Sequence, residues 1–230
     1  MIRRILLLSC ALACTGAEIQ RYTTRLDLAL EGPATATATV TATGAPGESF
    51  RIPVGFKASG LRLVEGPAGL GLEAVPHAVQ ATLPPAGGPC TFTFAFTAEG
   101  VLWKEILRNG QKPTIPAASR LVRHAFVNTE ATVIKDYAVE ASLPAGYRFQ
   151  GIKEALPKAG KTEVEPRVRL GRSGGRETAL LRLEDADQGD SASMVLEAVP
   201  RDRSFLWLVV GVGLSILYLV LFRDMVSAKS

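Results

Sequence analysis

The sequence predicts an all-β protein: two β-sandwich domains followed by a single C-terminal transmembrane helix. Three observations carry that expectation. Apolar and polar residues alternate with period two through most of the chain. Clusters of Gly, Pro, Asn and Asp interrupt the alternation at intervals of about ten residues, as between sandwich strands. Near the C-terminus the run FLWLVVGVGLSILYLVLF, residues 205–222, contains no charged residue.

The N-terminal stretch MIRRILLLSCALACTGA has the layout of a signal peptide, residues 1–17. Arg3 and Arg4 form the charged region, and Ile5 to Ala13 an apolar segment too short to span a bilayer. Small residues Thr15, Gly16 and Ala17 precede a cut before Glu18. Leu7-Leu8-Ser9-Cys10 and Ala11-Leu12-Ala13-Cys14 also resemble the lipobox of exported lipoproteins, so lipidation of Cys10 or Cys14 is the alternative.

From Arg21 the strand pattern begins. Leu26, Leu28 and Leu30 alternate with polar or small residues up to the Gly32-Pro33 break. ATATATVTAT, residues 34–43, puts five Thr on one face and four Ala with Val40 on the other; β-branched Thr favours a strand over a linker. Phe50, Ile52 and Val54 alternate next, and Leu61/Leu63, Leu70/Leu72 and Val79/Ala81/Leu83 read as short strands between Gly and Pro turns. Phe92, Phe94 and Phe96 share one face of 91–97 and call for a facing sheet to bury them; an exposed sugar-binding stripe is the alternative. Asn109-Gly110 signals a type I′ hairpin between 102–107 and 112–115, and Pro113 and Pro116 mark a domain junction near 116–120.

The second half repeats the pattern. Val122, His124 and Phe126 oppose Leu121, Arg123, Ala125 and Val127, and Tyr137, Val139 and Ala141 are in phase on the next strand. Phe149 and Ile152 resume, and 153–161 reads as a polar surface loop. Val164, Val168 and Leu170, then Ala179, Leu181 and Leu183, then Met194, Leu196 and Ala198 form the last strand faces.

Composition narrows function. The chain has 230 residues and formal charge +4, but between Glu18 and Ser204 there are 22 Lys or Arg against 21 Asp or Glu, so the basic balance is no signal for nucleic acid. Removal of the leader leaves Cys90 as the single cysteine, which excludes an internal disulfide. His77 and His124 are the two histidines, and neither stands in a nucleophile-elbow, HExxH or paired-Cys setting. Asp185, Asp187 and Asp190 with Gly189 suggest a calcium loop only in part, since the run lacks the closing Glu; a solvated turn is the simpler reading. No Gly-rich phosphate loop occurs. The expectation is therefore a non-catalytic protein with no cofactor and no metal.

A family likeness adds to the fold. Val127-Asn128-Thr129, Tyr137-Ala138-Val139 leading to Leu143-Pro144-Ala145-Gly146-Tyr147, and Gln188-Gly189-Asp190-Ser191 before the last strand resemble the Ig-like conserved-repeat domains of bacterial and archaeal surface proteins. The resemblance covers 121–199. It implies Ig-like sandwiches acting as structural spacers or adhesion modules, with no catalytic residues to carry over.

The expected layout is a signal peptide at 1–17, an N-terminal β-sandwich at 18–116, a membrane-proximal Ig-like sandwich at 117–203, a transmembrane helix at 204–222 and a cytoplasmic tail at 223–230. As a helix, 205–222 would be about 27 Å long, close to the ~30 Å hydrocarbon core of a bilayer. Trp207 and Tyr218 lie toward its two ends, where amphipathic rings favour the membrane interface. Gly211 and Ser215, four apart, offer a face for close helix–helix contact with a second copy or another membrane protein. Absent Asn-x-Ser/Thr sequons and disulfides lean toward a bacterial source. The functional expectation is a single-pass binding or scaffold protein of the bacterial cytoplasmic membrane, its domains periplasmic or extracellular. An envelope enzyme, or an accessory subunit of one, is the alternative.

Overall fold

The computed structural model describes residues 16–103, 118–156, 167–201 and 204–227, with side chains described for 16–103, 118–152, 168–201, 208–218 and 222. The described residues up to Pro200 form strands, turns and loops, with no helix among them. Its strands are β1 (Glu18–Asp27), β2 (Ala34–Thr43), β3 (Ser49–Pro53), β4 (Lys57–Glu65), β5 (Gly71–Val75), β6 (Ala78–Thr82), β7 (Cys90–Glu99), β8 (Leu102–Trp103), β9 (Arg120–Val127), β10 (Ile134–Ser142), β11 (Tyr147–Leu156), β12 (Arg167–Ser173), β13 (Arg176–Ala186) and β14 (Ser191–Pro200); helix α1 (Ser204–Ser227) follows. One compact unit ends at Val199 and a second begins at Pro200.

Three sheets hold the strands. The largest has the order β12-β13-β10-β1-β2-β7-β4; the others are β11-β14-β9-β8 and β3-β6-β5. Strands β1, β2, β7 and β4 come from the first half of the sequence, and β10, β13 and β12 from the second. They join edge to edge through β1 and β10, which run parallel with Tyr22 opposite Tyr137 and Leu26 opposite Ala141. The 116/117 boundary thus divides the sequence but not the sheet, and the buried side chains of both halves form one apolar cluster.

The sequence pattern explains the local structure. In β2, Ala34, Ala36, Ala38, Val40 and Ala42 are all buried, while the Thr residues face outward. Cross-strand register places Ala36 beside Phe96, Ala38 beside Phe94 and Val40 beside Phe92. Small beside large fills the layer without overlap. The three Phe rings are buried, with neighbouring centroids 6.3 and 5.9 Å apart, so the Phe stripe faces the core and offers no sugar platform. Outside, Thr39 and Thr93 hydroxyls lie 3.1 Å apart and Thr41 and Thr91 3.0 Å apart, tying β2 to β7 on the solvent face as well.

Three local expectations need correction or qualification. β1 starts at Glu18 rather than Arg21, with a register irregularity between Ile19 and Arg21. That bulge shifts the phase, so buried Ile19 and buried Tyr22 are three apart and escape a strict period-two reading. Of the loop expected over 153–161, residues 153–156 are instead strand, because β11 continues to Leu156, and 157–161 lie outside the described residues. β11 is a sheet edge, where a strand tolerates Lys153 and Glu154. The hairpin expected about Asn109-Gly110 lies outside the described residues; Leu102 and Trp103 form β8, which pairs with Val122 and Leu121 of β9.

Gly55 marks where the β3–β4 connection crosses β9. A Cβ there would lie 2.7 Å from the Ala125 carbonyl oxygen and 2.8 Å from His124 Cε1, so only glycine permits the approach. Among the described residues, no helix is long and apolar enough to cross a membrane. The backbone of α1 extends over 24 residues, with side chains described from Leu208 to Tyr218 and at Phe222.

Candidate functional site

The two halves meet at a buried polar and aromatic cluster. His124 of β9 and Tyr137 of β10 are 2% and 1% exposed, and His124 Nε2 lies 2.8 Å from the Tyr137 hydroxyl. Phe126 stacks on Tyr137 at 3.8 Å, Tyr22 meets the same ring edge-on at 5.2 Å, and Phe56 stacks on His124 at 4.7 Å. Burial drives the His124 imidazole down to about 3, so it stays neutral at physiological pH. Burial likewise pushes the Tyr22 phenol up to about 12 and Tyr137 well above the usual phenol range, the latter helped by Tyr22. His124 Nδ1 has no hydrogen-bond partner among the described residues. A neutral imidazole sealed from solvent holds two sheets together; it has no access to a substrate.

His77 sits apart, exposed at the β5–β6 turn with φ +61°, a conformation that non-glycine residues rarely adopt. Its carbonyl accepts from Val54 N at 3.1 Å. It rims a cavity of about 250 Å³ between β4 and the β5–β6 hairpin, lined by Phe56, Lys57, Leu61 and Val79. Ser59 also lines that cavity, and no carboxylate is among its lining residues. Among the described residues, no group of three or more His, Cys, Asp or Glu could hold a metal ion. Cys90 is buried, and burial pushes its thiol upward, away from the reactive thiolate.

The acidic turn is used internally. Asp190 Oδ2 accepts from Asp187 N at 2.7 Å, and Asp185 lies 3.8 Å from Lys135 Nζ. Asn128, fully buried, donates from Nδ2 to the Thr132 and Ala186 carbonyls at 2.9 and 3.0 Å. Its backbone N–H donates to Asp190 O, and its carbonyl accepts from Gly189 N. The Asn128-Thr129 and Gln188-Gly189-Asp190 segments, far apart in sequence, thus form one clasp. Leu143-Pro144-Ala145-Gly146-Tyr147 is a turn with Gly146 at φ +85° and Tyr147 N bonded to Pro144 O. Arg176 is a latch: it donates to the Leu143 and Ser142 carbonyls and to Asp27 Oδ1 across the sheet.

A second, open groove of about 970 Å³ lies where the chain enters β1. Glu48 stands in it, with Oε1 accepting from Ala17 N at 2.8 Å and Oε2 from Ala45 N at 2.7 Å. Nothing in the local sequence of Glu48 announces that role; its only signal is a carboxylate three residues beyond the Gly44-Ala45 turn.

On α1, Gly211 and Ser215 occupy one face, and Ser215 Oγ donates to the Gly211 carbonyl at 2.9 Å. Apart from the helix's own neighbouring backbone and the adjacent residues, no described atom comes within 4 Å of a Cβ built on Gly211 or Gly213. Tyr218 is exposed and its ring lies 4.6 Å from that of Phe222, while the Trp207 side chain is outside the described set.

No protein-family model matches the chain, and no curated protein matches it. Solved structures with some likeness include a putative protease from Parabacteroides distasonis, 9% identical with a TM-score of 0.45 over 80% of this chain and 41% of that one. An M1 zinc metallopeptidase from Deinococcus radiodurans is 13% identical, TM-score 0.39, over 80% of this chain and 42% of that one. The folded domain of LppM from Mycobacterium tuberculosis is 9% identical, TM-score 0.32, over 82% and 94%. The chain spans about two fifths of the length of the two peptidases. Likenesses this distant carry no functional argument.

Proposed function

We propose that this chain is a non-catalytic, extracytoplasmic binding or scaffold protein of a bacterial cytoplasmic membrane, held by its C-terminal helix. The observation that carries this reading is the surface of α1. Leu208, Val209, Val210, Val212, Leu214, Ile216, Leu217 and Tyr218 are each between 42% and 62% exposed. At about 100° per residue these positions run right round the helix, so no single protein face could cover them. A helix apolar on every side belongs in hydrocarbon or deep inside protein. The uncharged run 205–222 extends the same character to about 27 Å.

In finer detail, the β region reads as two Ig-like sandwiches, 18–116 and 117–203, fused along one sheet edge. Each half supplies strands to the seven-stranded sheet and to a smaller one. His124 is sealed in the packing between the sheets rather than presented to solvent.

Alkaline carbonate extraction of membranes from cells expressing the full chain tests the reading. The wild-type chain stays in the pellet, and Val210→Arg with Leu214→Arg releases it. Recovery of the wild-type chain in the soluble fraction overturns the anchor.

A further inference from the structure

Every residue lining the cavity between β4 and the β5–β6 hairpin belongs to the β region, so what the cavity holds is independent of the anchor. β4 and β5 are edge strands of different sheets, and the cavity opens where those two edges part. Its depth is apolar. Val79 is buried, and Phe56 and Leu61 are half-buried against the core cluster. The Phe56 ring is fixed there, stacked on His124 at 4.7 Å and 6.5 Å from the Phe96 ring, so this wall is formed in advance of any ligand. A dry cavity of about 150 Å³ lined by apolar side chains holds benzene. About 250 Å³ with an open mouth takes one ring and a short polar arm.

The mouth is polar and carries no negative charge. Lys57, Ser59 and His77 line the cavity and are exposed, and no carboxylate is among the lining residues. Glu99 already holds Lys57 Nζ at 2.6 Å. The His77 ring, which carries an N–H in either protonation state, and the Ser59 hydroxyl are the further donors. His77 also stands where the backbone asks for another residue. Val75 pairs with Ala78, so Pro76 and His77 form a two-residue hairpin loop. Proline suits the first central position of a type II turn, and the second, here at φ +61°, normally takes glycine or asparagine. Strain of this kind gathers at ligand clamps.

We propose that this cavity binds a small monocarboxylate with an aromatic body, its ring against Phe56, Leu61 and Val79 and its carboxylate on the His77 ring N–H. The experiment titrates the full chain in lipid nanodiscs with phenylacetate, and separately with the neutral phenylethanol, while methyl NMR follows Leu61, Val75 and Val79. Phenylacetate should shift these methyls saturably at micromolar to millimolar concentration, and phenylethanol should bind about tenfold more weakly for want of a charge-assisted hydrogen bond. His77→Gly separates binding from folding, because glycine adopts this φ freely. It should raise the melting temperature of the β region, weaken phenylacetate about tenfold and leave phenylethanol unchanged. Shifts that are absent or never saturate overturn the site. Equal affinity for acid and alcohol overturns the carboxylate, and undiminished phenylacetate binding in His77→Gly overturns the role of His77. None of these outcomes bears on whether α1 is an anchor.

Discussion

At the residue scale, His124, buried against Tyr137, gives the chain an acid-sensitive contribution to stability. His124 is neutral in the folded state down to about pH 3, whereas an ordinary imidazole takes its proton near 6.5. Between those values the unfolded chain binds a proton that the folded chain refuses. The contribution of His124 to stability is therefore fully present above pH 6.5 and is lost as the pH falls toward 3, with a ceiling of about 5 kcal/mol across the window. Urea unfolding in detergent at pH 7, 5 and 4 reads this directly. Replacing both partners, His124→Phe with Tyr137→Phe, should flatten the acid loss; an unchanged pH slope would rule out His124 as its source. Tyr137→Phe alone should lose about 1–3 kcal/mol at pH 7, because it leaves both imidazole nitrogens buried without a partner.

At the element scale, α1 and the strands were legible to different depths. Period-two alternation identifies the inward side of a strand, so the buried rows of β2, β7, β13 and β14 could be read from residues such as Ala38, Phe94, Leu181 and Met194. Alternation does not say which strand lies alongside. Nothing in RYTTRLD announces a parallel partner in DYAVEAS, since lateral pairing is set by backbone hydrogen bonds that every sequence can make. Glu48 was illegible for the same reason, as both its oxygens serve backbone N–H groups. For α1, the Ser215 hydroxyl is already satisfied by the Gly211 carbonyl, leaving a small, smooth face with no unmet donor. Close packing, rather than an interhelical hydrogen bond, is then what this face offers a second helix. Gly211→Leu should reduce crosslinking of the detergent-solubilised protein to itself or to a membrane partner, while Ser215→Ala should leave it unchanged. Equal crosslinking in wild type and Gly211→Leu removes the helix-pairing proposal.

At the scale of the whole molecule, the edge-to-edge sheet makes the two halves mutually dependent. The β1–β10 ladder, the Arg176–Asp27 pair at 2.6 Å, the Arg21–Asp136 and Arg25–Glu140 pairs at 3.5 and 3.6 Å, and the common apolar cluster all cross the boundary. The exposed ion pairs add little; the shared ladder and core are the larger ties. Calorimetry of the full chain in detergent should show one cooperative transition for the β region rather than two. Two resolved transitions would mean that the halves fold as independent domains despite the shared sheet.

The parallel pairing of β1 with β10 also fixes an order of events. β1 is made first and can zip to β2 through a short turn at once, but its other edge has no partner until β10 has been synthesised. Throughout that interval the strand from Tyr22 to Asp27 presents an open row of amide and carbonyl groups, the kind of edge on which foreign strands stack. A chain interrupted before Ile134 would keep that edge permanently. Premature truncation should therefore yield aggregates rather than a shorter folded protein, and a nascent chain has reason to be shielded until its second half arrives.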